Sequence, residues 1–105
     1  MFFEAKQFNG DISGWNTGSV INMSGMFMKA PCFNQDISNW DTTSVVDMSG
    51  MFFEAAVFNS DVKKWDTAAV TNMAYMFYNA SSFTGDVSTW NMESVTDRSS
   101  MFHNR

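Results

Sequence analysis

The sequence superimposes on itself at an offset of 25 residues from one end to the other, with no insertion. At that offset Met1, Met26, Met51, Met76 and Met101 share a column, each followed by phenylalanine: Phe2, Phe27, Phe52, Phe77 and Phe102. Four more columns hold throughout: Phe8, Phe33, Phe58 and Phe83; Asp11, Asp36, Asp61 and Asp86; Trp15, Trp40, Trp65 and Trp90; Val20, Val45, Val70 and Val95. An unbroken register requires every repeat to follow the same path with the same loop lengths, as happens when each coil packs only on its neighbours. The expectation is a single solenoid domain, 1–105, of four repeats (1–25, 26–50, 51–75 and 76–100) with a partial repeat at 101–105. Function in such a chain lives on the stacked surface.

The material for the core is unusual. The chain holds 11 Phe and 10 Met but no leucine, and 45% of its residues are hydrophobic. A continuous core is within reach of 105 residues, built from flexible thioethers and stacked rings. A net charge of -5 argues against nucleic acid or an anionic membrane surface as partner. No apolar run approaches the roughly 20 residues of a membrane span, so membrane insertion is not expected, and no signal peptide is visible. The chain begins and ends at the same phase of its repeat, as a segment of a longer array would, so a targeting sequence could lie outside it. Cys32, the one cysteine, shares a column with Gln7, Val57 and Ser82 and reads as incidental.

Within a repeat, Val20, Met23, Phe27 and Ala30 follow spacings of three, four and three, with Met26 beside Phe27. That is the apolar stripe of a short helix. Asn16, Asp41, Asp66 and Asn91, followed in three repeats by Thr17, Thr42 and Thr67, precede the stripe as turn and helix-start residues. Upstream, Asp11, Ile12, Ser13 and Trp15 form a β-compatible piece that would pair with its equivalents at about 4.8 Å per coil. The fold expected is an α/β repeat solenoid, with a short parallel β-strand and a short helix in each of about four coils. The tryptophan column is read as core.

The segment from Val20 to Phe33, VxxMxxMFxxAxxF, resembles the bacterial surface protein (BspA-like) leucine-rich repeats of about 25 residues, whose signature is FNxDISxWDTSxVTxMxxMFxxA. The residues from Phe33 to Val45 depart from that signature at a single threonine, and the resemblance covers essentially the whole chain. It implies a leucine-rich-repeat-like solenoid, a cell-surface or extracellular location, adhesion or binding of host or matrix proteins, and no enzymatic activity. The final repeat departs from the pattern: Thr84 stands at the Asn column, Met92 at the Thr column and Arg98 at a Met column.

Two surface features are candidates for function. Stacked at a few ångströms, Asp11, Asp36, Asp61 and Asp86 would repel one another unless compensated. Calcium would do so, with help from Asn9, Asn34 and Asn59, and is the one cofactor considered. The simpler compensation, and the one favoured, is backbone amide donation at a turn, because one Asp and one Asn per coil supply few of the roughly six to eight oxygens calcium takes. Partner choice falls to variable positions: the column of Gly14, Asn39, Lys64 and Thr89, together with the neighbouring repeated column of Ser13, Ser38, Lys63 and Ser88, forms the candidate protein-binding patch. No catalytic set is placed by the pattern, and the only histidine is His103. The function expected is a noncatalytic protein-binding or adhesion module. The alternatives are a structural element self-associating into homo-oligomers through uncapped solenoid ends, and a calcium-dependent surface module.

Overall fold

A computed structural model describes residues 4–102. Met1, Phe2 and His103 lie outside the described residues. Each coil is built from turns, with neither a helix nor an extended strand among the described residues. The α/β solenoid with a strand and a helix per coil is therefore overturned, and the leucine-rich-repeat-like architecture with it.

Hydrogen bonding shows why no helix forms at the Met/Phe stripe. In a helix every amide would reach back four residues within its own segment. Here alternate amides leave the coil: Met23, Gly25, Phe27 and Lys29 donate to the carbonyls of Asp47, Ser49, Met51 and Phe53 in the next coil, at 2.9, 2.9, 2.9 and 2.7 Å. Met26 and Met28, lying between them, and Ala30, just after, close tight turns on Met23, Gly25 and Phe27 at 3.2, 3.1 and 3.1 Å. Two residues per coil also adopt a left-handed backbone, such as Gly25 at φ 63° and Lys29 at φ 56°, and either one interrupts a helical path. Steric bulk points the same way. A helix is about 10 Å across, whereas Phe27, Phe52 and Phe77 stack ring on ring at 5.7 and 5.4 Å. The stripe is nonetheless real: Met23, Met26, Phe27 and Ala30 are all buried.

The expected strand at residues 11–15 is a corner. Trp15 N–H closes on Ile12 O at 3.1 Å, and this turn resolves how Ile and Trp, three apart, both reach the interior in the later coils. The β-like contacts fall elsewhere, as isolated parallel bridges joining Asn22 to Asp47, Asp47 to Asn72 and Asn72 to Asp97.

Between these corners the core is a set of columns. Phe8, Phe33, Phe58 and Phe83 stack at 5.8, 5.9 and 6.0 Å, and Phe27, Phe52 and Phe77 lie against Phe33, Phe58 and Phe83 at 3.9, 4.0 and 4.1 Å. Trp40, Trp65 and Trp90 are buried and donate their Nε1–H to the carbonyls of Ile12, Ile37 and Val62 in the preceding coil. Thr17, Thr42 and Thr67 are buried too, and donate forward to the carbonyls of Asp41, Asp66 and Asn91. Among the described residues no buried side-chain polar atom lacks a partner. These polar rungs tie each coil to its neighbour through the core itself.

Candidate binding face

Each of Asp11, Asp36, Asp61 and Asp86 turns its Oδ1 onto its own chain. It accepts the amide two residues on, from Ser13, Ser38, Lys63 and Ser88, at 3.0, 2.9, 2.8 and 2.9 Å. Ser13 and Ser38 add their hydroxyls at 2.7 and 2.6 Å. For Asp11 the amide and hydroxyl of Ser13 hold the carboxyl below its usual range, and they outweigh the repulsion of Asp36. For Asp36 the Ser38 hydroxyl, then its amide, has the same effect. Hydrogen bonding to the ionised form thus compensates the stacked charge. The neighbouring Asn9, Asn34 and Asn59 form their own ladder, each Oδ1 accepting the amide of Asn34, Asn59 or Thr84 in the next coil at 2.8 Å. Among the described residues no three His, Cys, Asp or Glu side chains converge as a metal site would require.

The in-register stack lines the Ser/Lys candidates along one edge. Ser13, Asn39, Lys63, Lys64, Ser88 and Thr89 are exposed and Ser38 is half-buried. Beside Gly14 a side chain would meet open space, so the column of Gly14, Asn39, Lys64 and Thr89 is free of packing duties. Its chemistry is mixed: hydroxyls already engaged with Asp11 and Asp36, then two exposed ammonium groups in a single coil.

A more distinctive surface lies at the corner where the coils turn left-handed. Met28, Phe53 and Tyr78 share one column there, and Tyr75 stands in the column of Gly25 and Gly50. Phe53 and Tyr78 stack at 4.9 Å, and Tyr75 leans over both at 6.3 and 5.6 Å with its ring tilted by 60° and 56°. Met28, Phe53 and Tyr75, together with Ser49, Gly50 and Ala74, line an open, mostly apolar groove of about 270 Å³, with Tyr78 stacked on Phe53 beside it. Gly50 makes the floor: a Cβ there would come within 2.7 Å of the Met28 methyl, and φ is +61°. Tyr75 has the same left-handed backbone at φ 59°, yet its ring remains 45% exposed.

The family model described as "Mycoplasma protein of unknown function, DUF285" matches residues 1–105. The chain belongs to that family. No curated protein and no solved structure matches it. For this DUF285 member the groove was hidden in the sequence because its residue types vary from coil to coil, and a search for repeated columns passes over variation. One signal was present: aromatic residues at 53, 75 and 78, outside every repeated aromatic column, have no core position to occupy.

Proposed function

We propose that this chain is a noncatalytic binding module that takes a protein segment in the groove of Met28, Phe53 and Tyr75. The observation that carries this reading is Tyr75. A tyrosine held at φ 59°, where the two preceding coils have glycine, accepts backbone strain while contributing an exposed ring and no core packing. Tyrosine and phenylalanine exposed around an apolar depression are the side chains that dominate protein recognition, through large contact area at low conformational cost. The resemblance of residues 33–45 to BspA-like surface repeats supports a cell-surface setting and a host or matrix protein as partner. No helix among the described residues is long and apolar enough to cross a membrane.

The test is selection of binders from a displayed random-peptide library, followed by affinity measurement on two variants. Phe53→Ser/Tyr75→Ser is expected to weaken the selected peptides at least tenfold while the chain stays folded, with a melting temperature lowered only by loss of the Phe53–Tyr78 stack, whereas Lys63→Glu/Lys64→Glu leaves them bound. Loss on the lysine variant alone would transfer the function to the Ser/Lys edge. A library yielding no peptide that distinguishes the groove variant from the parent chain would sink the reading.

A further inference from the structure

Most of the methionines are core. Met23, Met48 and Met73 share one repeated column, Met26, Met51, Met76 and Met101 another, and all of them are buried. Two described methionines stand outside both columns: Met92, half-buried in the coil of residues 76–100, and Met28. Met28 is set in the flank of the stack, where its column continues as Phe53 and Tyr78, and its half-buried side chain lines the groove that spans the two central coils. Glycine decides where the thioether lies. A Cβ at Gly25 would sit 3.9 Å from the Met28 methyl and one at Gly50 only 2.7 Å from it, so the end of the side chain rests over the bare backbone of Gly50. The sulfur, one bond back from that methyl, is thereby held beside an opening rather than within the packed columns.

The hydrogen-bond donors around that sulfur are already committed. Met28 N–H donates to Gly25 O at 3.1 Å, Gly50 N–H to Ala74 O at 2.8 Å, Phe53 N–H to Gly50 O at 3.1 Å and Tyr75 N–H to Ser99 O at 2.9 Å. Ser49 gives both its amide and its hydroxyl to Asp47 Oδ1 at 2.9 and 2.7 Å, and Ala74 N–H goes to Asn72 Oδ1 at 3.0 Å. A thioether suits such a wall, because it is apolar and asks for no hydrogen bond. A sulfoxide does not suit it. Its oxygen would depend on water, or on the hydroxyl of the exposed Tyr75, both of which an occupant of the groove covers.

We infer that Met28 is an oxidation site at which a peroxide closes the groove to an apolar partner segment, an inference that rests on the binding function proposed above. The sulfur lone pair attacks one oxygen of hydrogen peroxide, and the S–O bond forms as the O–O bond breaks. The proton of the transferred hydroxyl passes to the departing hydroxide, which leaves as water. Sulfur is oxidised by two electrons, the peroxide is reduced by two, and a sulfoxide reductase reverses the change.

Dilute hydrogen peroxide tests this on the full chain, with Cys32→Ser as background because that exposed thiol also reacts. Peptide mapping by mass spectrometry follows each methionine separately. Met28 is expected to gain one oxygen at least ~10 times faster than Met48, Met51, Met73 and Met76, and equal rates would overturn the site. The peptides selected for the groove are expected to bind the oxidised chain about tenfold more weakly, and methionine sulfoxide reductase with a thiol reductant to restore them. Met28→Leu, close in volume and inert to peroxide, keeps Met92 and should bind alike before and after treatment. Undiminished affinity with Met28 oxidised, or an equal loss in Met28→Leu, would overturn the switch. The two readings fail separately. A library without groove peptides removes the binding function and the switch that depends on it, even if Met28 oxidises fast; slow oxidation of Met28 in a chain that does bind groove peptides removes the switch alone.

Discussion

At the scale of single residues, backbone handedness decides which positions carry strain. One left-handed column holds Gly25, Gly50, Tyr75 and Ser100, and the other holds Glu4, Lys29, Glu54 and Asn79, the last group at φ of 55° to 56°. An L side chain in this conformation costs about 1–2 kcal/mol, glycine nothing in sterics, and asparagine is tolerated. Lys29 is exposed, so it has little packing to lose. Replacing it with glycine removes the steric cost and adds roughly 0.5–1 kcal/mol of chain entropy lost on folding. Lys29→Gly is expected to raise stability by about 0.5–1 kcal/mol, and Lys29→Val, β-branched at positive φ, to lower it by at least about 1 kcal/mol. Urea unfolding of the two variants checks this, and the reverse order would mean that the Lys29 side chain matters more than its backbone. Tyr75 belongs to the same argument from the functional side, because its strain is set against no place in the buried core.

At the scale of the element, the unit of this fold is the Asx-turn, used three times per coil. In one coil Asp36, Asp41 and Asp47 each accept the amide two residues on, from Ser38, Thr43 and Ser49, at 2.9, 3.0 and 2.9 Å. The sequence marked Asp36 and Asp41 as turn residues, and the buried columns were legible too, since every strictly repeated apolar column is buried in the middle coils. The type of element was not. Spacings of three and four mark a helix when the segment satisfies its own amides, but they serve a ribbon of tight turns equally well when alternate amides bond to the next coil. Nothing in the side chains of Met23, Met26 and Phe27 distinguishes the two; the left-handed positions do, and Glu4, Lys29 and Glu54 are unusual residues to find there. The site was less legible than the core, because Phe53, Tyr75 and Tyr78 are informative through their departure from the pattern. The turns carry a pH prediction. Asp11, Asp36, Asp41 and Asp97 are held below the ordinary value of 3.8 by donation from Ser13, Ser38, Thr43 and Ser99. A carboxyl with a lowered folded-state pKa stabilises above its unfolded value and loses that contribution as pH falls through the folded one. The melting temperature should therefore change little through these groups above pH 5 and fall as the pH drops below about 4. Asp36→Asn/Asp41→Asn should flatten that fall, since an amide oxygen accepts the same bond without titrating, as Asn16 does from Gly18 and Asn91 from Glu93. An equally steep acid transition in the double variant would trace it to other groups.

At the scale of the molecule, stability is a sum over coil-to-coil contacts, so a side chain counts by how many coils it joins. Phe52 is fully buried and stacks on Phe27 at 5.7 Å, Phe58 at 4.0 Å and Phe77 at 5.4 Å, bridging coils on both sides. Phe102 is half-buried and stacks on Phe77 at 5.3 Å, on one side only among the described residues. Truncating a fully enclosed phenylalanine costs about 3–5 kcal/mol through lost transfer energy and a cavity, a large share of the roughly 5–15 kcal/mol that holds a small domain folded. Phe52→Ala is thus expected to lower the denaturation midpoint severely or to unfold the chain outright. For Phe102→Ala the partly exposed site can relax, and only the last coil depends on it, so a loss of about 1–2 kcal/mol is expected. Native-state hydrogen exchange separates the two effects by location. In Phe102→Ala the amides of Tyr75 and Phe77, which donate to Ser99 and Met101, should lose protection while those of Met48 and Phe52 keep it. Equal loss of protection at all four would show that the coils unfold as one cooperative block, and the additive picture of the stack would have to be abandoned.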